Sequence, residues 1–195
     1  MKQIYALTLA VILLFSTVFT QTKWNVDKSH TMINFSVEHM VISEVTGQFK
    51  EFDATMETSK EDFTDAKINV SIKAKSIDTG TPGRDNHLRS ADFFNAEIDS
   101  TITFVSSKVE KTGNETFKIT GALTMRGVTK EVVLNTKYKG KVKGMRGAVS
   151  AFKATTSINR KEWGLSWNRT IETGGFVVGE NVELSIVIEF IEAKA

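Results

Sequence analysis

The side chains with the most chemical reach gather in two short stretches. Arg84-Asp85-Asn86-His87-Leu88-Arg89 sets two cations, a histidine and an amide within one short run. At the start of a helix such groups suit an anionic or carbonyl head group. The plainer reading is a solvated helix face, with Asp85 and Arg89 forming an ion pair at i,i+4 spacing. The second stretch is Asn159-Arg160-Lys161 followed by Trp163-Gly164-Leu165-Ser166-Trp167-Asn168. Tryptophans spaced in this way line a pocket mouth or plug a barrel end, and plugging is the commoner role. The three histidines, His30, His39 and His87, show neither the i,i+2 strand pair nor the H-x-x-x-H helix pair of a zinc site. Local hydrogen bonding is their expected role, and no metal is expected. Nucleophile elbow, zincin motif and phosphate-binding glycine loop are all missing from the chain. With no cysteine, thiol catalysis and iron–sulfur clusters are excluded.

The elements that must position these groups are strands. Apolar residues alternate with polar ones at period two in four clear runs: Ile33-Phe35-Val37, Ala66-Ile68-Val70-Ile72, Phe117-Ile119-Gly121-Leu123-Met125 and Val182-Leu184-Ile186-Ile188-Phe190. Weaker runs near 45–57, 101–109, 129–140 and 147–158 bring the expectation to about eight strands. Gly113-Asn114, Arg126-Gly127, Gly174-Gly175 and Gly179-Glu180-Asn181 supply turns between them. The single proline, Pro82, interrupts none of the runs. Thr81-Pro82 reads instead as the N-cap and first residue of a short helix, over roughly Arg84 to Phe94, in a long connection. Strand number and meander spacing favour a barrel over a sandwich, and an eight-stranded barrel either fills with side chains or holds one small ligand. Alternation alone leaves that choice open.

Bulk properties narrow the setting. Lys2 followed by an uncharged, mostly apolar run from Ile4 to Phe19 has the layout of a signal peptide, expected over residues 1–20. The run is shorter than the ~20 apolar residues a membrane-spanning helix needs. Residues 21–195 then form one domain, large enough to bury ~70% of its unfolded surface without disulfides. A net charge of +2 with interleaved signs argues against a nucleic-acid partner.

Eight segments, in order, resemble the YceI-like, polyisoprenoid-binding family. They are Trp24-Asn25-Val26-Asp27 with Ser29-His30; Ile33 to Met40; Val45-Thr46-Gly47-Gln48-Phe49; Ser76-Ile77-Asp78-Thr79-Gly80; Arg84 to Phe94; Thr101-Ile102-Thr103-Phe104; Gly121 to Lys130; and Ile158 to Asn168. The resemblance spans Trp24 to Glu192. It departs from the family's usual pattern at Ser100, where proline is common, at Glu162-Trp163, where Asp-Phe is common, and in the Gly144–Ala148 turn. The lipocalin Gly-x-Trp signature is not matched, because Thr22-Lys23 precede Trp24.

The resemblance implies an all-β fold, an extended eight-stranded antiparallel lipocalin-like barrel with a short helix in one connection. It implies a bound isoprenoid quinone, prenyl phosphate or fatty amide in place of a cofactor, a periplasmic or secreted location, and a homodimer as one option. The expected function is a non-enzymatic carrier of a long apolar lipid. The rival readings are a structural barrel with a packed core, and an enzyme acting on a lipid head group through His87. Inward-facing candidates for the tail are Ile33, Phe35, Val37, Phe49, Ile68, Val70, Ile72, Phe104, Leu123, Met125, Leu184 and Ile188. Candidates for the head group are Arg84, His87, Arg89, His39 and Asn168.

Overall fold

Alternating apolar and polar residues can bury one face of a strand only if the sheet curls around that face. Here the curling is complete. The computed structural model describes residues 21–172 and 174–194, so the expected signal segment lies outside the described residues. The described residues form eleven antiparallel strands: β1 (Thr22–Val26), β2 (Met32–His39), β3 (Ser43–Phe49), β4 (Phe52–Thr58), β5 (Lys67–Lys73), β6 (Ile77–Asp78), β7 (Thr101–Lys111), β8 (Thr116–Met125), β9 (Val128–Lys143), β10 (Ala148–Asn159) and β11 (Val178–Glu192). The one α-helix among the described residues, α1 (Pro82–Arg89), lies in the connection from β6 to β7.

The pairing order reduces these to eight staves. β1 and β2 both pair with β11, at its C-terminal and N-terminal halves respectively. β4 pairs with β1, while β3 pairs with β2. β5 pairs with β4, and β6 with β3. Each of these three couples is therefore one long strand bent in the middle. Adding β7, β8, β9, β10 and β11 gives a closed, eight-strand up-and-down barrel. Closure removes the exposed sheet edges that invite aggregation.

The sequence expectation of eight strands is met, with local corrections. The run near 45–57 is two strands, because the chain bends at Lys50-Glu51. β1, too short to show alternation by itself, extends the first stave. α1 is shorter than expected and starts at Pro82, with Thr81 as N-cap. Thr81 makes no side-chain cap bond; its hydroxyl accepts from Arg84 instead. Between β8 and β9, Arg126 and Gly127 both take positive φ, as a two-residue hairpin loop requires.

The staves do not meet all the way up. β6 has no strand on its far side. α1 and the segment after it occupy that place. They are pinned to the kink between β5 and β6, where Arg89 donates to the carbonyls of Lys75 and Ile77. Leu88, Phe93 and Phe94 from this segment complete the upper wall. The barrel thus has a regular lower half and an upper half closed partly by irregular chain.

Candidate ligand-binding site

The inward residues do not fill the barrel. Three cavities lie inside it. The lower one, about 130 Å³, is walled by residues such as Ile68, Val70, Phe104, Ile119, Phe152 and Ile188, with Thr136 as its one polar lining residue. The middle one, also about 130 Å³, is walled by residues including Phe35, Phe49, Phe93, Ile102, Met125 and Leu165, with Arg160 as its one polar neighbour. Ile33, Ile72, Leu123 and Leu184 border both and form a waist between them. The third, about 230 Å³, is the mouth, bordered by Glu38, His39, Arg84, His87, Trp167 and Val178 among others. Phe35, Val37, Leu88, Phe93 and Val178 line both the middle cavity and the mouth.

All twelve residues expected to face inward line the lower or middle cavity. Ile33, Phe49, Phe104, Leu123, Met125 and Ile188 are buried. Phe35, Val37, Ile68, Val70, Ile72 and Leu184 are only partly so, as expected for side chains bordering unfilled space.

The polar candidates divide. His39, Arg84 and His87 border the mouth. The His87 ring bonds Asp92 through Nε2 at 2.9 Å and stands edge-on to Phe93 and Trp167. Arg84 donates to the Thr79 hydroxyl and carbonyl at 2.7 and 2.9 Å, so its guanidinium is held at the rim. Arg89 and Asn168 do not reach the cavities. Arg89 is spent on the Lys75 and Ile77 carbonyls. Asn168 makes a reciprocal pair of bonds with the Val178 backbone, at 2.7 and 3.1 Å. The expected Asp85–Arg89 ion pair is also absent. Asp85 is buried and accepts from the Thr79 amide and hydroxyl at 2.9 and 2.6 Å. At i,i+4 spacing an exposed pair gains little, whereas unpaired backbone groups in the wall must be satisfied.

Residues outside the head-group candidates hold this end together. Arg160 is 3% exposed. Its guanidinium donates to the carbonyls of Gly179, Leu165 and Val178 and packs 6.0 Å from the Phe93 ring centre. Burial pushes its pKa below the ordinary arginine value, with Glu180 pulling it back. Arg126 similarly gathers the Ala91, Phe93 and Gly164 carbonyls. Trp163 takes the plugging role: it is buried and donates to the Leu123 carbonyl at 3.1 Å. Arg160 stood beside the tryptophans in the sequence, but nothing in its neighbours marked it as buried.

His30 stands apart from the other two histidines. Its Nδ1 lies 3.3 Å from Asp27 and 3.9 Å from Glu189, where β1 bends into β2. These three donors are the one metal-capable group among the described residues. Arg146 already bonds the Asp27 carboxylate at 3.3 Å. Burial raises the Asp27 pKa, but the Ser29 amide, His30 and Arg146 outweigh it and hold the carboxyl below its usual value.

Fold and cavity together define an up-and-down barrel with an apolar interior and a largely apolar mouth bordered by Glu38, His39, Arg84 and His87. The chain belongs to the YceI-like family, whose domain model matches residues 24–190. A UPF0312 protein of Staphylococcus epidermidis is 37% identical over 171 residues, covering 87% of this chain and 97% of that one. Among solved structures, the YCEI protein of Campylobacter jejuni superposes with a TM-score of 0.69 at 33% identity, over 81% of this chain and 90% of that one. A polyisoprenoid binding domain from Saccharophagus degradans, implicated in plant cell wall breakdown, shares the fold with a TM-score of 0.64 at 14% identity, over 87% of this chain and 98% of that one.

Proposed function

We propose that the barrel binds one long apolar lipid, tail in the lower and middle cavities and head at the mouth, and acts as a carrier or store without catalysis. The carrying observation is the pair of contiguous cavities with apolar walls. An engineered apolar cavity of ~150 Å³ stays dry and takes up apolar ligands. Leaving such space unfilled costs about 24 cal/mol per Å³, or about 3 kcal/mol for each of these two cavities. That is a large share of a stability of about 5–15 kcal/mol. A packed core would recover it by enlarging a few side chains. Two unfilled cavities in line favour an occupant that is itself long and thin.

Burial of methylene and methyl groups supplies affinity, at about 25 cal/mol per Å². Arg84, His39 and His87 suit a head that is a hydrogen-bond acceptor or an anion, such as a quinone carbonyl, a prenyl phosphate or a fatty amide. The family likeness to a polyisoprenoid binding domain supports an isoprenoid tail. A periplasmic or secreted location belongs to the same reading, because such a carrier would serve a membrane from outside the cytoplasm. The test is organic extraction of purified full-length protein followed by mass spectrometry. A stoichiometric lipid with a long apolar chain is the expected result. Repeated preparations without any lipid, together with no uptake of added prenols, would overturn the reading.

A further inference from the structure

At the closed end of the lower cavity, strand residues such as Met56, Phe152 and Phe190 are joined by a large side chain that no strand carries, from the loop joining β4 to β5. Phe63 is buried at 5% exposure, while Glu61 and Asp62 beside it face solvent. Its ring borders the lower cavity and lies edge-on or tilted to Trp24, Tyr138 and Phe152, at 6.1, 5.5 and 5.3 Å between centres. The residue sits at φ +60°, in the left-handed region that a bulky side chain rarely adopts. Strain of this kind persists only where the surroundings over-determine it.

Here they do so through two aspartates. The Asp65 carboxylate accepts from the Thr58 hydroxyl and from the Ser59 and Lys60 amides, at 2.5, 2.9 and 3.2 Å. Asp62 accepts from the Thr64 amide and hydroxyl at 3.1 and 2.8 Å. The Phe63 amide and carbonyl each take a backbone bond, to Lys60 and Ala66. Burial works to raise the Asp65 pKa, yet the three donors hold it below the usual carboxylate value. A surface loop needs no such cage unless the position of one side chain matters.

We infer that Phe63 is a stop that sets how long a tail the barrel accepts. This rests on the lipid reading above and adds to it a length limit with a named residue. A chain entering from the mouth passes the waist at Ile33, Ile72, Leu123 and Leu184 and ends against the Phe63 ring. On its far side the ring packs on Trp24, Tyr138 and Phe152, beneath the exposed loop. Truncating the ring opens the floor without touching the mouth or the waist.

The experiment compares wild type, Phe63→Ala and Phe63→Leu against a ladder of linear prenols that differ by one isoprene unit, with affinity read by native mass spectrometry. Wild-type affinity should rise with length and then level off or fall. In Phe63→Ala it should continue to rise beyond that point, by about four-fold per additional buried carbon. Phe63→Leu keeps an apolar anchor in the loop and should fold even if the alanine variant does not; its cut-off should lie beyond the wild-type one. An unchanged cut-off in a folded variant would overturn the stop while leaving lipid binding intact. Binding of no prenol by wild type would sink the lipid reading, and the stop with it.

Discussion

The lower half of the barrel and its mouth solve different problems. The lower cavity is walled by paired strands, whose backbone groups satisfy one another and whose inward side chains need only be apolar. The mouth is walled by β2 and β3 on one side and by irregular chain on the other: α1, the segment after it, and the strap that runs from Trp167 to the start of β11. Irregular chain leaves carbonyls without ladder partners, and arginine side chains supply the missing donors. Arg89, Arg126 and Arg160 together serve the carbonyls of Lys75, Ile77, Ala91, Phe93, Gly164, Leu165, Val178 and Gly179. Packing holds one end and charge-assisted hydrogen bonds hold the other.

The sharpest way to break this comparison is at Arg160. Arg160→Leu keeps much of the apolar stem but leaves the Gly179 and Leu165 carbonyls unmatched in a buried wall, while the Val178 carbonyl keeps only its bond from Asn168. A loss of about 3–5 kcal/mol is expected, read from urea unfolding with the slope unchanged. Near-neutral behaviour would mean that water or rearranged backbone serves those carbonyls, and the upper end would then be held by packing like the lower one.

A second pair of substitutions contrasts the two ends directly. Gly121 lies under the Phe104 ring in the lower half, and Gly47 lies under the Phe35 ring near the mouth. A Cβ at Gly121 would come within 2.5 Å of Phe104 and 2.6 Å of the Val105 carbonyl oxygen. The carbonyl is backbone and cannot step aside. A Cβ at Gly47 would meet Phe35 at 2.4 Å and the Thr79 methyl at 2.9 Å, both side chains. Gly121→Ala should therefore cost about 3 kcal/mol and Gly47→Ala about 1 kcal/mol, at either end of the usual overpacking range. Thermal unfolding of the two variants measures the gap. Equal costs would show that the mouth is packed as tightly as the strand-walled end.

The same division decides what the sequence could reveal. All twelve inward candidates line the cavities, because a strand has only two faces and the barrel fixes which one is inside. Alternation marks Phe35 and Leu184 as inward without telling that the space beside them is unfilled, since a filled and a hollow barrel need the same pattern. At the mouth there is no period to read. The charged cluster points Arg84 and His87 to the rim, where they lie, but it includes Arg89, which turns to backbone, as does Asn168 from the tryptophan stretch. Which cation reaches the cavity and which turns to a carbonyl depends on where unpaired backbone lies, and that is set by tertiary structure. The burial of Arg160 and of Phe63 is hidden in the sequence for the same reason. One is a buried cation in a polar turn, the other an aromatic in an acidic loop.

The smallest expected effect tests whether charge pairs at the mouth surface share the role of the arginines that bind carbonyls there. Lys161 pairs with Glu180 across the turn and sits 5.6 Å from the centre of the Phe176 ring. Both partners of the ion pair are about two-fifths exposed, so solvent screens the attraction and ordering two long side chains offsets it. Lys161→Ala should cost no more than about 1 kcal/mol, and most of that should vanish in ~1 M salt, where the screening length falls to ~3 Å. The Arg160→Leu deficit, made of buried hydrogen bonds, should change little with salt. A salt-insensitive loss above about 2 kcal/mol at Lys161 would move the support of the strap from the buried guanidinium to the rim.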